Sequence, residues 1–305
     1  MLGVGTGMTA LVLGAVVANR WFETRRGLVI GMLTASTATG QLIFLPVAAW
    51  LIERYGWRSA VIPVFCSCAL TALLAFLFIR NRPQELGIAA YGADPHAHAA
   101  HSPARMTIWE PLRVLGDAAS NRSFWILAGT FFICGLSTSG LIQTHFISLC
   151  GDYGLSAVPA AGALAMMGAF DFVGTILSGY LSDRFDNRKL LFWYYGLRGL
   201  SLLWLPHSSF TLYGLSLFAM FYGLDWVATV PPTVKLTGAA FGRERAGMVF
   251  GWIFAAHQLG SAAAAYGAGL TRTLLLSYTP ALYAAGAACV LASLLIFLIR
   301  RPAAV

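Results

Sequence analysis

The chain has little charge and no ordered cysteine pattern, and each absence excludes a class of protein. Only 10% of its 305 residues are charged and 58% are hydrophobic, a composition outside the usual range of soluble globular domains. Its five cysteines have neither the spacing of metal ligands nor that of a disulfide framework. The sequence also lacks a glycine-rich nucleotide-binding loop. We therefore expect no metal, no cofactor, no enzymatic activity and no drive by ATP.

Long apolar runs take the place of the missing charge. A helix needs about 20 mostly apolar residues to cross the ~30 Å hydrocarbon core of a bilayer. Runs of this kind occupy residues 2–19, 27–52, 59–80, 123–147, 157–181, 189–206, 209–232, 246–269 and 279–299. They lack the alternation of barrel strands, and the first has neither the basic segment nor the cleavage site of a signal peptide. The sequence predicts an all-α membrane protein with about nine transmembrane helices.

The net charge of +8 describes topology rather than a surface for nucleic acid. When the loops between the runs are assigned alternately to two sides, sixteen of the 20 Lys and Arg residues fall on one side. Three (Arg54, Arg58 and Arg272) fall on the other side, and Arg198 lies within a run. Such a bias marks the richer side as cytoplasmic, and the C-terminus and the loop 82–122 belong to it. We expect a multi-pass protein of the inner or plasma membrane, with the lipid bilayer and no nucleic acid as partner.

The chain contains a faint internal repeat at an offset of 220 positions. Residues 21–40 align with 241–260, and three glycines of the first segment stand opposite Gly247, Gly251 and Gly260. The copies lead into the second and eighth runs, so the repeat unit is six helices long and both copies start on the same side. The runs then correspond to helices 4–12 of a twelve-helix protein whose first helices would precede Met1. The predicted divisions are 1–81 (half of a first bundle), 82–122 (a cytoplasmic linker) and 123–305 (a complete second bundle).

The loop after the fifth run carries a specific motif. GYLSDRFDNRK at 179–189 resembles the G-x-L-[SA]-D-[RK]-x-x-x-[RK] loop of the major facilitator superfamily, with matches at Gly179, Leu181, Asp183, Arg184 and Arg188. The segments WF-x-x-RRG at 21–27, YGWR at 55–58 and RNRPQELG at 80–87 resemble the monocarboxylate and oxalate–formate branch of that family. The resemblance implies two six-helix bundles that rock about a central site.

The resemblance also implies a role for the loop. Gly179 would let two helices approach closely, and Asp183 would cap the following helix or pair with a nearby cation. Such a latch would favour one of the two rocking states. The alternative is a solvated basic turn that only sets the topology.

Asp171 and Arg198 lie inside apolar runs, where charge is costly. Asp171 is ten residues before the cytoplasmic end of the fifth run and Arg198 is nine residues into the sixth, which puts both roughly 14 Å from the inner surface. An unpaired charge there costs at least ~2.5–3.5 kcal/mol, so we expect an ion pair between them. This pair either fastens two helices or opens during transport, with Arg198 taking an anionic substrate and Asp171 a proton. The monocarboxylate branch typically has an Arg four residues after the Asp, and this chain has Thr175 there.

Asp225, in the seventh run, is the strongest candidate for the site. No cation in a neighbouring stretch is an obvious partner, and a carboxyl group in an apolar wall could carry a proton. Trp226 and the pair Pro231-Pro232 predict an aromatic wall and a local break in the helix. The alternative is a carboxylic acid that hydrogen-bonds to a neighbouring helix.

Further polar side chains complete the candidate pathway for substrate and protons. They are Gln143, His145, His257, Gln258 and Gln41, each either a ligand or a hydrogen-bonding group between helices. The linker contains an isolated histidine tract, HAHAAH at 96–101, without acidic or thiol partners, so we expect no metal there. Residues 104–118 have helical spacing of apolar residues and predict an interfacial helix.

Together these features predict a secondary active transporter of a small solute. Arg198 and the branch resemblance suggest an organic anion, and membrane carboxyl groups without a recognisable sodium site suggest coupling to protons by alternating access. A different class stays open, namely a transport-inactive remnant or a membrane scaffold or sensor. An ion channel would need a ring of charges along a pore, which the sequence does not show.

Overall fold

The computed structural model describes residues 12–80, 82–93 and 109–299, and most of these residues are helical. The α-helices are α1 Val12–Trp21, α2 Arg26–Tyr55, α3 Trp57–Phe78, α4 Glu110–Ala119, α5 Arg122–Gly135, α6 Thr144–Asp152, α7 Ala157–Ser182, α8 Asn187–Trp204, α9 Leu212–Asp225, α10 Val230–Phe241, α11 Arg243–Leu275 and α12 Thr279–Leu295. A π-helical segment, Leu136–Gln143, joins α5 to α6. Within the described ranges, β-type pairing is confined to an isolated bridge between Phe22 and Tyr91. The all-α prediction is therefore confirmed.

Six helices of the described part are long and apolar enough to cross a membrane. They are Trp57–Phe78, Arg122–Asp152, Ala157–Ser182, Tyr213–Phe241, Arg245–Leu275 and Thr279–Leu298, and each coincides with a predicted run. Helices α2 and α8 coincide with two more runs, while residues 2–11 of the first run lie outside the described residues. The helices support a multi-pass membrane protein, and the count of nine spans stays a prediction.

Helix α3 indicates the medium that surrounds the bundle. It packs mainly on α2, and none of its residues is buried. Large apolar side chains such as Phe65 and Phe76 are 69% and 83% exposed. A helix that is apolar on every side and exposed on most of them is suited to hydrocarbon rather than to water.

Helices α2 and α7 approach each other through small residues. A Cβ atom placed on Gly27 would lie 2.6 Å from the carbonyl oxygen of Gly179, and one on Gly31 would lie 2.8 Å from the carbonyl oxygen of Thr175. Both distances are too short for a real Cβ contact, so the glycines permit a spacing that other residues would prevent. This contact joins the segment before the 82–122 loop to the segment after it.

The helix contacts follow the sequence repeat. Helix α2 packs on α10, and α11, which begins with the second copy, packs on α1. Under the six-helix offset, α2 corresponds to α11 and α1 corresponds to the span formed by α9 and α10. The two contacts are therefore equivalent, as a twofold relation requires. The division of the chain at 81 and 122 stays a prediction.

Helix α4 forms where the sequence predicts an interfacial helix. Its buried face carries Val114 and Ala118, whereas Leu112 is 50% exposed. The helix is tied to α11 by a hydrogen bond from Trp252 Nε1 to the carbonyl oxygen of Pro111 (3.0 Å) and by further contacts between the two helices. Residues 104–108 and the histidine tract lie outside the described residues, and the position of α4 relative to a bilayer stays a prediction.

Candidate functional site

The candidate site is built around a break in a transmembrane helix. Helix α9 ends at Asp225 and α10 begins at Val230, with a turn between them. Pro231 and Pro232 occupy the first turn of α10, where a missing backbone N–H costs no helical hydrogen bond. The prolines thus start the second half-helix, as the sequence predicted. The turn between the half-helices leaves backbone groups that must find partners away from water.

Arg198 of α8 satisfies the carbonyl groups on one side of the break. Its side chain is fully buried, and Nε donates to Asp225 Oδ2 at 3.0 Å. Nη2 donates to the carbonyl oxygens of Asp225 and Trp226, the latter at 2.9 Å. Nη1 donates to Cys134 Sγ at 3.1 Å. One guanidinium group therefore pairs with a carboxylate and also caps the end of α9.

Asp171 of α7 satisfies the other side of the break. Its Oδ1 accepts hydrogen bonds from the backbone N–H of Val227 (2.9 Å) and from Thr175 Oγ1 (2.8 Å). The predicted ion pair between Asp171 and Arg198 is therefore wrong as a direct bond, since Arg198 pairs with Asp225. The expectation that Asp225 lacks a cationic partner is wrong for the same reason. Helix α9 packs on both α7 and α8, so the break receives both charged side chains.

One carboxylate oxygen of Asp225 has no hydrogen-bond partner. Its Oδ1 is buried and has no hydrogen-bond partner, while Oδ2 pairs with Arg198. A buried acceptor without a partner is costly. Among the described residues of the cluster, Oδ1 of Asp225 is therefore an acceptor that the fold leaves unsatisfied.

Cys134 is the member of this cluster that sequence reasoning missed. The cysteine spacing indicated no function for it, yet Cys134 Sγ accepts from Arg198 and lies 3.3 Å from Thr229 Oγ1. A thiol inside an apolar run offers no pattern that would have marked it. It connects α5 to the broken helix.

His257 adjoins this cluster through Cys134, whereas the other described pathway residues make separate contacts or are exposed. His145 Nε2 lies 2.9 Å from the carbonyl oxygen of Ala265, which makes it a link between helices. His257 is largely buried, and its Nδ1 lies 3.2 Å from Oε1 of Gln258, an exposed residue. Gln143 is exposed at the end of the π-helical segment. Gln41 belongs to α2, but its side chain lies outside the described part of the structure.

The loop motif brings Asp183 to the start of a distant helix. Its carboxylate accepts from the backbone N–H groups of Gly27 (3.0 Å) and Leu28 (3.1 Å), at the N-terminus of α2. It also forms an ion pair with Lys235 Nζ of α10 at 2.7 Å. The following helix, α8, is instead capped by Asp186, which accepts from the backbone N–H of Arg188. The prediction of a cation partner agrees with the geometry, and the prediction that Asp183 caps the following helix is wrong.

The remaining motif residues surround the turn. Arg184 lies over the ring of Tyr180, 4.1 Å from its centroid. Arg188 is buried, pairs with Asp186 at 2.7 Å and donates to the carbonyl oxygen of Ile299 at 3.1 Å. Leu181 is half-buried. Arg188 thus links the turn to the segment that follows α12.

Long apolar helices around a charged cluster at a helix break define a polytopic helical membrane protein. The model of the Major Facilitator Superfamily matches residues 1–265. The chain belongs to this family.

Individual relatives share moderate similarity with the chain. The MFS-type transporter YcxA of Bacillus subtilis (strain 168) is 26% identical over 279 residues, which are 88% of this chain and 63% of that protein. Monocarboxylate transporter 13 of Rattus norvegicus is 25% identical over 275 residues, covering 88% of this chain and 58% of that protein. The chain therefore spans about 60% of the length of these relatives. The crystal structure of the E. coli fucose:proton symporter FucP superposes with a TM-score of 0.61 at 15% identity, covering 95% of this chain and 72% of that one.

Proposed function

We propose that the protein is a secondary active transporter that moves a small organic anion together with protons by alternating access. The observation that carries the proposal is the family match over residues 1–265. The class of solute is supported by relatives named monocarboxylate transporters, such as the one from Rattus norvegicus at 25% identity. It is further supported by the buried cation Arg198.

The charged cluster suggests how a proton and an anion could be coupled. Asp225 and Arg198 neutralise each other across 3.0 Å. A proton taken up on Oδ1 of Asp225 would remove its negative charge, and Arg198 would then attract another anion. Loss of the proton would restore the ion pair and release that anion. Asp171 would hold the backbone of the break in place through Val227 in both states.

The contact at Asp183 suggests what controls the conformation. Its carboxylate bridges the positive N-terminus of α2 and the ammonium group of Lys235 on α10. A carboxylate at a helix N-terminus is stabilised by the helix dipole. A rocking motion that moves α2 away from α10 would break both interactions, so the bridge favours the state seen in the structure.

The proposal is tested by uptake into proteoliposomes. Purified protein is assayed with radiolabelled lactate, pyruvate, formate and oxalate, with and without a pH gradient that is acidic on the outside of the vesicles. We expect at least one anion to accumulate only with the gradient. Asp225→Asn should abolish gradient-driven accumulation while exchange of the anion between the two sides persists. Asp117→Asn, at an exposed ion pair with Arg245, is the matched control and should behave as the unaltered protein.

Two results would contradict the proposal. Unchanged gradient-driven uptake in Asp225→Asn would remove this carboxylate from the coupling mechanism. Failure of the folded, unaltered protein to move any of the four anions would instead favour a membrane protein that senses or scaffolds without transport. The control variant shows whether loss of any surface carboxylate has the same effect.

A further inference from the structure

A groove opens where α4 meets α5, beside the end of α12. It has a volume of about 490 Å³ and lies apart from the charged cluster at the helix break. The lining residues that matter here are Ser120, Arg122, Trp125, Gly129, Ile133 and Leu295. The groove follows the outer face of α5 from its first turn to its last.

One end of the groove is polar and positively charged. Arg122 is exposed, and within the described residues its guanidinium group has no carboxylate or carbonyl partner. Ser120 lies beside it at the junction of α4 and α5. Trp125 is 61% exposed, and its Nε1 donates to the carbonyl oxygen of Ala119 at 2.8 Å. A tryptophan with a bonded N–H and an exposed ring is typical of the boundary between headgroups and hydrocarbon. No acidic residue lines the described groove.

The rest of the groove is apolar and has the length of a lipid chain. Ile133 follows Arg122 by eleven positions, which corresponds to about 16 Å along a helix. This length is close to half of a hydrocarbon core of ~30 Å. Gly129 lies between them, and a Cβ atom placed on it would have no neighbour within 4 Å. The middle of the groove is therefore open space bounded by an exposed helix face.

We propose that this groove binds an anionic phospholipid, with the headgroup phosphate on Arg122 and Ser120 and one acyl chain along Gly129 and Ile133. The charge of Arg122 selects an anion, and the apolar length below it selects a hydrocarbon chain. An extended peptide in the same place would leave backbone N–H and C=O groups without partners at membrane depth. The inference rests on the placement of the helices in a membrane and is independent of the transported solute.

Native mass spectrometry of the purified full chain tests the charge of the site. The protein in detergent is offered phosphatidylglycerol or phosphatidylcholine, and the lipids that stay bound are counted. We expect retention of phosphatidylglycerol above phosphatidylcholine. Arg122→Gln should lower the retained phosphatidylglycerol by about fivefold, the factor expected for one arginine at an anionic surface. Arg113→Gln, an exposed arginine of α4 outside the groove, is the matched control and should change it less.

The apolar part of the site is tested by a substitution that places a large side chain inside the groove. Gly129→Leu should lower retention of phosphatidylglycerol, and Gly162→Leu on α7, which also has open space at its Cβ position, should not. Thermal unfolding of the Gly129 and Gly162 variants shows that both are folded. An equal loss in Arg122→Gln and Arg113→Gln would mean general surface attraction and would overturn the proposal. Full competition by inorganic phosphate with no effect of Gly129→Leu would overturn it too, since only the phosphate would then be bound.

Discussion

Replacement of Arg198 should destabilise the protein more than replacement of its ion-pair partner. Arg198→Met removes the counterion of Asp225 and the donors to two backbone carbonyl groups at the end of α9. Asp225→Asn removes only the negative charge, because an amide oxygen can still accept from Nε of Arg198. The guanidinium group also keeps its bonds to the carbonyl oxygens and to Cys134 in that variant.

The structure sets the size of each effect. Removing one partner of a buried ion pair costs about 3–5 kcal/mol, and each buried carbonyl group without a donor costs about 1–3 kcal/mol more. Arg198→Met should therefore cost about 5 kcal/mol or more. Asp225→Asn should cost about 3 kcal/mol, because the remaining acceptors hold the guanidinium group. At roughly 2 °C per kcal/mol for a chain of this size, the shifts in Tm are about 10 °C or more and about 6 °C.

Thermal unfolding of the purified protein in detergent, followed by circular dichroism, measures both shifts. Asp117→Asn is the control, because its carboxylate is 65% exposed in an ion pair with Arg245, and such pairs contribute under ~1 kcal/mol. A Tm for Arg198→Met within error of that control, or a larger shift for Asp225→Asn than for Arg198→Met, would refute the assignment of Arg198 as the cap of the broken helix.

Two other perturbations test the contact between α2 and α7. Gly179→Ala would drive a Cβ atom into the carbonyl oxygen of Gly27 and should cost about 1–3 kcal/mol; Gly162→Ala, where the space is open, should leave the Tm in the same unfolding assay almost unchanged. Asp183→Asn should cost about 1 kcal/mol but should slow or unbalance transport in proteoliposomes, because its bridge between α2 and Lys235 is weakened; unchanged rates in both directions of transport would exclude a latch.

Much of the fold could be predicted from the sequence because a bilayer imposes a length on apolar helices. The runs at 59–80, 157–181 and 279–299 coincide closely with α3, α7 and α12. The break in the seventh run could also be predicted, because proline is tolerated in the first turn of a helix but not in its interior. Pro231 and Pro232 therefore mark the start of a new helix. The π-helical segment Leu136–Gln143 could not, because no pattern of residue types distinguishes a π-helical turn from an α-helical one.

The partners within the site were harder to predict than its members. Arithmetic along a helix placed Asp171 and Arg198 at similar depths, but depth says nothing about the direction in which each side chain leaves its helix. Helix α9, which carries Asp225, packs against both α7 and α8, and Asp225 forms the ion pair with Arg198. Asp183 shows the same difficulty, because its partners at Gly27 and Leu28 are about 155 positions away along the chain. The short distance along the chain favoured α8 as the partner of Asp183, but that helix is capped by Asp186 of the same loop.

The broken helix has a consequence for how this protein can evolve. Two side chains from separate helices, Arg198 and Asp171, hold one interruption in a third, and that third helix carries Asp225 as a counterion. A mutation that removes any one of them leaves a charge or a backbone group stranded in an apolar interior. Lineages that lose Arg198 should therefore also lose Asp225, and they should straighten the helix by replacing Pro231 or Pro232. The triad should be inherited as a unit or disappear as one.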